Sequence, residues 1–131
     1  MTVEVKHLGD GGVLLLGTGV VTGDEILDAK ARFFGSEAAT GAVVYLLADF
    51  SASIRAEISE AQVRAIAERD RAAAAVNPTM VMAVVGRQDL VYGLGRMWET
   101  MLETAPIETR VFRDRAEAEQ WIATKVEVGG P

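Results

Sequence analysis

The sequence contains no cysteine and a single histidine in 131 residues. The lack of cysteine excludes disulfide bonds, thiolate metal sites and cysteine nucleophiles, and it fits a reducing compartment. His7 has no second histidine with which to hold a metal or act as a base. No Gly-x-Ser-x-Gly elbow marks a serine nucleophile. The residues therefore predict no catalytic site, no metal site and no cofactor, and we expect a protein that is not an enzyme.

The chain also lacks a surplus of basic residues and a long apolar run. Its 13 Lys and Arg against 19 Asp and Glu give a net charge of −6, which disfavours nucleic acid and anionic lipid surfaces as partners. No apolar run approaches the roughly 20 residues that span a bilayer. No basic segment followed by an apolar one indicates a signal peptide. We expect a cytoplasmic protein that does not bind nucleic acid.

What the chain does have is enough apolar residues for a core. Hydrophobic residues make up 50% of the sequence and charged ones 24%, a balance typical of globular proteins. The length fits one domain covering residues 1–131.

Two unbroken apolar runs predict strands that are buried on both faces. Residues 41–51 (GAVVYLLADFS) and 79–85 (TMVMAVV) are rich in Val, Leu and Met, without polar alternation. Their central parts, 43–47 and 80–85, are expected to lie in the middle of a sheet. Helices should cover both faces of that sheet.

The rest of the chain supplies the neighbours of these strands. Residues 2–8 and 13–21 predict an antiparallel hairpin around Asp10-Gly11, and the second strand carries Gly17 and Gly19, which indicate a bulge or a close backbone approach. Residues 107–112 predict an edge strand, and 50–58 a connection without clear periodicity. Helical spacing is found at 24–34, 59–76, 90–104 and 116–125, and 127–131 is expected to be a frayed tail. The predicted fold is α/β, a mixed five-stranded sheet made of a hairpin and then βα units, with about four helices.

Candidate ligand-binding residues lie where strands end and on one helix. Asp49 and Ser51 follow the central run, at the carboxyl end where ligands bind in such sheets. Alternatively, their polar groups cap neighbouring loops. The predicted helix 90–104 has a wide apolar arc that includes Tyr92, Met97, Trp98 and Met101. Those four side chains fit core packing, a homodimer face or the wall of an apolar cavity. Gly93 and Gly95 in the same helix indicate that another element packs closely there.

Ser59 has two interpretations. With Gln62 three residues later it forms a capping-box pattern at the start of a helix. A phosphate on Ser59 would also be stabilised by the free N–H groups of a helix N-terminus. Glu57 and Glu60 would repel such a phosphate, so capping alone is the simpler interpretation.

Four segments together resemble the STAS domains, and more closely the SpoIIAA-like family. They are 49–51 (DFS), the helix 59–76, 91–97 (VYGLGRM) and 111–122 (VFRDRAEAEQWI). The resemblance implies a non-enzymatic regulatory or interaction domain, homodimeric, with a protein partner. It places a phosphorylated serine at the start of the helix that follows the central strand, where this chain has Ser59 without the family's preceding Asp, tandem Ser or Gly-Leu.

The resemblance also implies an alternative function. SpoIIAA-like proteins are similar to CRAL-TRIO-like lipid-binding domains, so the alternative is a binding protein for an apolar small molecule or lipid, held between the sheet and the helix 90–104. Contact with a membrane belongs to the same alternative, although the negative net charge does not favour it.

Overall fold

A computed structural model describes residues 2–128 and shows a five-stranded sheet with helices on both faces. The strands follow one another across the sheet in chain order: β1 (Val3–His7), β2 (Gly12–Thr22), β3 (Tyr45–Glu57), β4 (Val81–Val85) and β5 (Glu108–Phe112). The helices are α1 (Gly23–Phe33), α2 (Glu37–Gly41), α3 (Glu60–Val76), α4 (Asp89–Met101) and α5 (Arg115–Val128). β1 is antiparallel to β2, and the other neighbouring strands are parallel. The predicted mixed α/β sheet is thereby confirmed.

The hairpin and the bulge follow from glycines that adopt positive φ. Gly11 has φ +87° in the turn between β1 and β2, where the Leu8 N–H donates to the Gly12 carbonyl oxygen at 2.8 Å. Gly19 has φ +64°, and the pairing of β2 with β3 shifts register on either side of it. A side chain with a Cβ is strained in this left-handed region, so glycine permits both features.

Alternation along β3 divides the sheet into two faces. Leu46 and Ala48 point towards α1, α3 and α4, which cover what we call the three-helix face. Tyr45 and Leu47 point towards α5, which covers the one-helix face. Residues 45–49 and four of the five residues of β4 are buried, so the prediction of two central strands holds. Within residues 2–128, no helix combines the length and the apolar character that crossing a bilayer requires.

Several predicted boundaries were wrong. Residues 37–41 form the short helix α2, which Ser36 caps by accepting from the Ala39 N–H at 3.0 Å, so the central strand begins at Tyr45 and not at Gly41. Val44 precedes the strand and is 40% exposed. The segment predicted as a connection, 50–58, is mostly strand, because β3 continues beside β2 to Glu57.

The later helices also differ from the predicted bounds. α4 ends at Met101, three residues early, and the following residues form turns. α5 starts at Arg115 and continues to Val128, so the predicted frayed tail overlaps the helix. Its remaining residues, 129–131, lie outside the described residues.

Candidate functional site

A mainly apolar cleft lies on the three-helix face, between the sheet and helices α1, α3 and α4. Its walls include Ala48 and Phe50 from β3, and Val91 and Leu94 from α4. The cleft opens to solvent and has an internal volume of about 60 Å³. Apolar walls and a few polar groups are typical of small-molecule sites, so this cleft is the candidate site.

Two polar side chains stand in the cleft lining, Lys30 and Ser53. Ser53 is 4% exposed. Its hydroxyl is within hydrogen-bond distance of the carbonyl oxygens of Gly19 (3.2 Å) and Arg55 (3.1 Å). Ser53 therefore serves mainly to hold the irregular part of β3, and Lys30 is the polar group left to meet a ligand.

Lys30 belongs to a buried polar cluster with Asp70 of α3 and Trp98 of α4. Its Nζ lies 2.5 Å from Asp70 Oδ2, and the Trp98 indole N–H donates to the same oxygen at 2.8 Å. The ammonium also stands 5.5 Å from the Trp98 ring centroid, a cation–π distance. None of the three residues is more than 4% exposed. Charges at this depth are tolerated only because each has an opposite charge and a hydrogen-bond partner.

The cluster leaves hydrogen-bonding capacity unused. An ammonium carries three N–H donors, and Lys30 makes one hydrogen bond to the side chains and backbone of the described residues. Asp70 Oδ1 is buried without a donor among those residues. Buried donors and acceptors without hydrogen bonds cost free energy. A ligand whose polar atom comes close to these groups is therefore favoured.

The sequence did not single out Lys30 or Asp70. Both lie on apolar stripes, with Lys30 next to buried Ala29 and Asp70 four residues after Ile66. A charged residue at such a position is the signal that could have found them.

The structure separates the predicted ligand-binding residues. Asp49 is on the one-helix face, 3% exposed, where Oδ2 is 3.2 Å from Arg115 Nη1 of α5 and Oδ1 accepts from the Ser51 N–H at 2.9 Å. Trp98 lines the cleft on the three-helix face. Asp49 and Ser51 lie within β3 and not at its end, so they do not form one site with Trp98. A role for them in binding stays a prediction.

The other predicted residues of α4 lie outside the cleft lining. Tyr92, Met97 and Met101 are half-buried and pack against the core, and the Arg113 guanidinium stacks 4.1 Å from the Tyr92 ring centroid. Of the two glycines, Gly95 does pack closely, since a Cβ there would lie 2.9 Å from Val111 Cγ1. The expectation of close packing at Gly93 was wrong, because a Cβ there would meet no atom within 4 Å.

Ser59 is exposed at the N-cap of α3. Its hydroxyl accepts from the Gln62 N–H at 3.1 Å, and Gln62 Oε1 accepts from the Ser59 N–H at 2.9 Å, which completes the predicted capping box. The Gln62 amide also donates to Asp24 of α1 at 3.1 Å. The geometry matches the capping interpretation and leaves the hydroxyl accessible to solvent.

Tyr45 and Glu25 have shifted pKa values, and both lie outside the cleft lining. Burial, and then the hydrogen bond to Asp10, raises the pKa of Tyr45 to about 12. The Thr2 hydroxyl, which donates to Glu25, is the main cause of a lowered pKa of that carboxyl. Among the described residues, no three side chains of the metal-ligating types lie together.

Comparison with solved structures gives one match that covers nearly the whole chain. The anti-sigma factor antagonist SpoIIAA, solved in its unphosphorylated form, superposes with a TM-score of 0.60 at 12% identity, over 92% of this chain and 97% of SpoIIAA. The chain has the SpoIIAA fold. The predicted STAS-type, SpoIIAA-like architecture is confirmed by this match. No protein-family model matches the sequence, and no curated protein matches it either.

Proposed function

We propose that this chain is a non-enzymatic, cytoplasmic regulatory domain that works by binding a protein partner. The observation that carries the proposal is the overlap with SpoIIAA, an anti-sigma factor antagonist, over nearly the full length of both chains. The pairing of Asp49 with Arg115 supports the non-enzymatic part, because that carboxylate is held by a guanidinium instead of facing a substrate.

The exposed apolar side chains indicate where a partner docks. Ile54 on the distal part of β3 is 70% exposed, and Leu90 at the start of α4 is 58% exposed. Both lie at the carboxyl end of the parallel strands. Val44 and Val76, at the opposite end, are 40% and 44% exposed. Exposed apolar patches mark candidate interaction surfaces, and Ile54 and Leu90 are the two most exposed large apolar side chains among the described residues. We therefore place the partner at the end that carries them.

The test is proximity labelling in the cells of origin with two matched double variants. Ile54→Asp/Leu90→Asp changes the proposed docking end, and Val44→Asp/Val76→Asp makes the same change at the opposite end. We expect the first variant to lose about tenfold or more of the labelling of a reproducible partner, and the control to retain it. Both variants should keep the melting temperature of the parent chain. Equal labelling by the two variants would contradict the assigned docking end.

Ser59 can be tested as a regulatory phosphorylation site with the same partner. Aspartate caps helices as well as serine does, whereas alanine costs about 1 kcal/mol. Ser59→Asp should therefore leave the stability of α3 unchanged while adding a charge, and Ser59→Ala should weaken the cap alone. Loss of partner binding in Ser59→Asp, with binding retained in Ser59→Ala, would support a switch. Unchanged partner binding in both variants would leave Ser59 as a cap only.

Homodimerisation stays a prediction. Most of the apolar arc of α4 is used in the core, because Trp98 is buried and Met97 and Met101 are half-buried. That leaves Leu90 as its most exposed large apolar side chain. Light scattering coupled to gel filtration measures the mass directly, and a mass of one chain at high protein concentration would rule out a stable dimer.

A second candidate function, binding of an apolar small molecule, is favoured by the cleft beneath α4. Support for this candidate comes from the cleft lining, which includes Val91, Leu94 and Trp98 of α4.

A further inference from the structure

We infer that the cleft on the three-helix face selects a small, uncharged molecule with an apolar body and one hydrogen-bond acceptor, such as a ketone, an ester or an amide, and that Lys30 is the residue that contacts this acceptor. The inference rests on the second candidate function and goes beyond it by naming the chemical class of ligand.

The polarity of the ligand follows from the cleft walls. Apart from Lys30 and Ser53, the lining side chains are apolar or glycine, so most of a ligand must be hydrocarbon. Lys30 is 3% exposed, and among the described residues the hydrogen-bond acceptor of its ammonium is Asp70. An ammonium has no lone pair. A ligand atom that hydrogen-bonds to Lys30 is therefore an acceptor.

The charge of the ligand follows from the charges already present. Lys30 and Asp70 cancel each other at 2.5 Å. An anionic ligand would add a buried negative charge without a further cation. A cationic ligand would place two positive groups together, and both arrangements are costly in a desolvated site. A neutral acceptor contacts Lys30 without changing the balance.

The size of the ligand follows from the volume. The cleft holds about 60 Å³, whereas an engineered cavity that encloses benzene measures about 150 Å³. A short, narrow head can enter, and its tail remains at the open side of the cleft. A long-chain lipid does not fit inside without a movement of α4.

The test uses three probes with similar short tails and different heads: 2-pentanone, pentanoate and pentylammonium. Binding is followed by the indole N–H resonances in a two-dimensional nitrogen–proton NMR spectrum. Trp98 reports on the cleft because it lines the cleft and its indole N–H donates to Asp70. Trp121 packs against Phe112 on the one-helix face and is an internal control. We expect 2-pentanone to shift Trp98 and not Trp121, with an affinity about tenfold higher than that of either charged probe.

Two variants separate the cleft from Lys30. Ala56→Leu places a larger side chain in the cleft lining and should weaken the binding of 2-pentanone about tenfold or more, whereas Ala52→Leu, exposed on the same strand and outside the lining, should not. Lys30→Met/Asp70→Asn removes both charges and keeps an acceptor for Trp98. It should lower the affinity for 2-pentanone about tenfold, because the ketone oxygen loses the N–H donor that Lys30 supplies.

The outcomes distinguish the two levels of the inference. Preference for pentanoate over 2-pentanone would overturn the ligand class and leave apolar binding in place. An unchanged affinity for 2-pentanone in the charge-free double variant would overturn the role of Lys30. If no probe shifts Trp98, both the ligand class and the second candidate function fail, while partner binding at Ile54 and Leu90 is untouched.

Discussion

The buried ion pairs on the two faces of the sheet differ in how far they are exposed to solvent. On the three-helix face, Lys30 and Asp70 are enclosed by α1, α3 and α4, and both are almost fully buried. On the one-helix face, Asp49 is just as buried, but its partner Arg115 has 39% of its side chain exposed. On the one-helix face the ion pair reaches solvent through Arg115, whereas both members of the pair on the three-helix face are buried. We therefore expect a broken ion pair to cost more stability on the three-helix face than on the one-helix face.

The sharpest way to test this comparison is to remove the acid from each face. Asp70→Ala leaves the buried Lys30 ammonium without a counter-charge and should lower the free energy of unfolding by about 3–5 kcal/mol. Asp49→Ala leaves Arg115 free to hydrate and should cost about 1 kcal/mol. Urea unfolding measures both values. Equal losses would mean that the two faces do not differ in solvent access.

Two adjacent leucines of β3 provide a smaller comparison without charges. Leu46 faces three helices and Leu47 faces one, and both are at most 2% exposed. We expect Leu46→Ala to cost about 4 kcal/mol and Leu47→Ala about 2 kcal/mol, because a single helix can settle into the space that is left. Denaturant midpoints of the two variants decide the order, and a larger loss for Leu47→Ala would reverse our account of the faces.

Tyr45 lies on the one-helix face. Its ionisation is expected to change the stability less than the substitutions above. Its pKa is raised to about 12 from an ordinary value of 10, by burial and by the bond to Asp10. The folded state favours the protonated phenol, so this stabilisation is complete below pH 10 and is lost as the pH rises through about 12. Stability should fall over that interval in the parent chain and less in Tyr45→Phe. Phenolate absorbance in Asp10→Asn should titrate at a lower pH than in the parent.

The central architecture could be predicted from the sequence because the two middle strands are apolar on both faces. Few structures other than the middle of a covered sheet require such strands. It failed for the distal part of β3, where the register shift near Gly19 disturbs the two-residue period that marks a strand. α2 has five residues, too few for helical periodicity to show. The cleft was anticipated only in outline. The polar pair at the cleft, Lys30 and Asp70, could not be predicted because its members are 40 positions apart in the chain. In addition, a charged residue on a helix is by default assigned to the solvent-exposed face.

The distal part of β3 has a further consequence for the way the molecule opens. β4 ends opposite Asp49, so within the described part of the chain residues 50–57 pair with β2 alone. Backbone amides in such a two-stranded ribbon exchange with deuterium through local opening, whereas those at 45–49 should wait for global unfolding. The ribbon can therefore loosen and close again on a ligand or a partner while the base of the sheet stays folded.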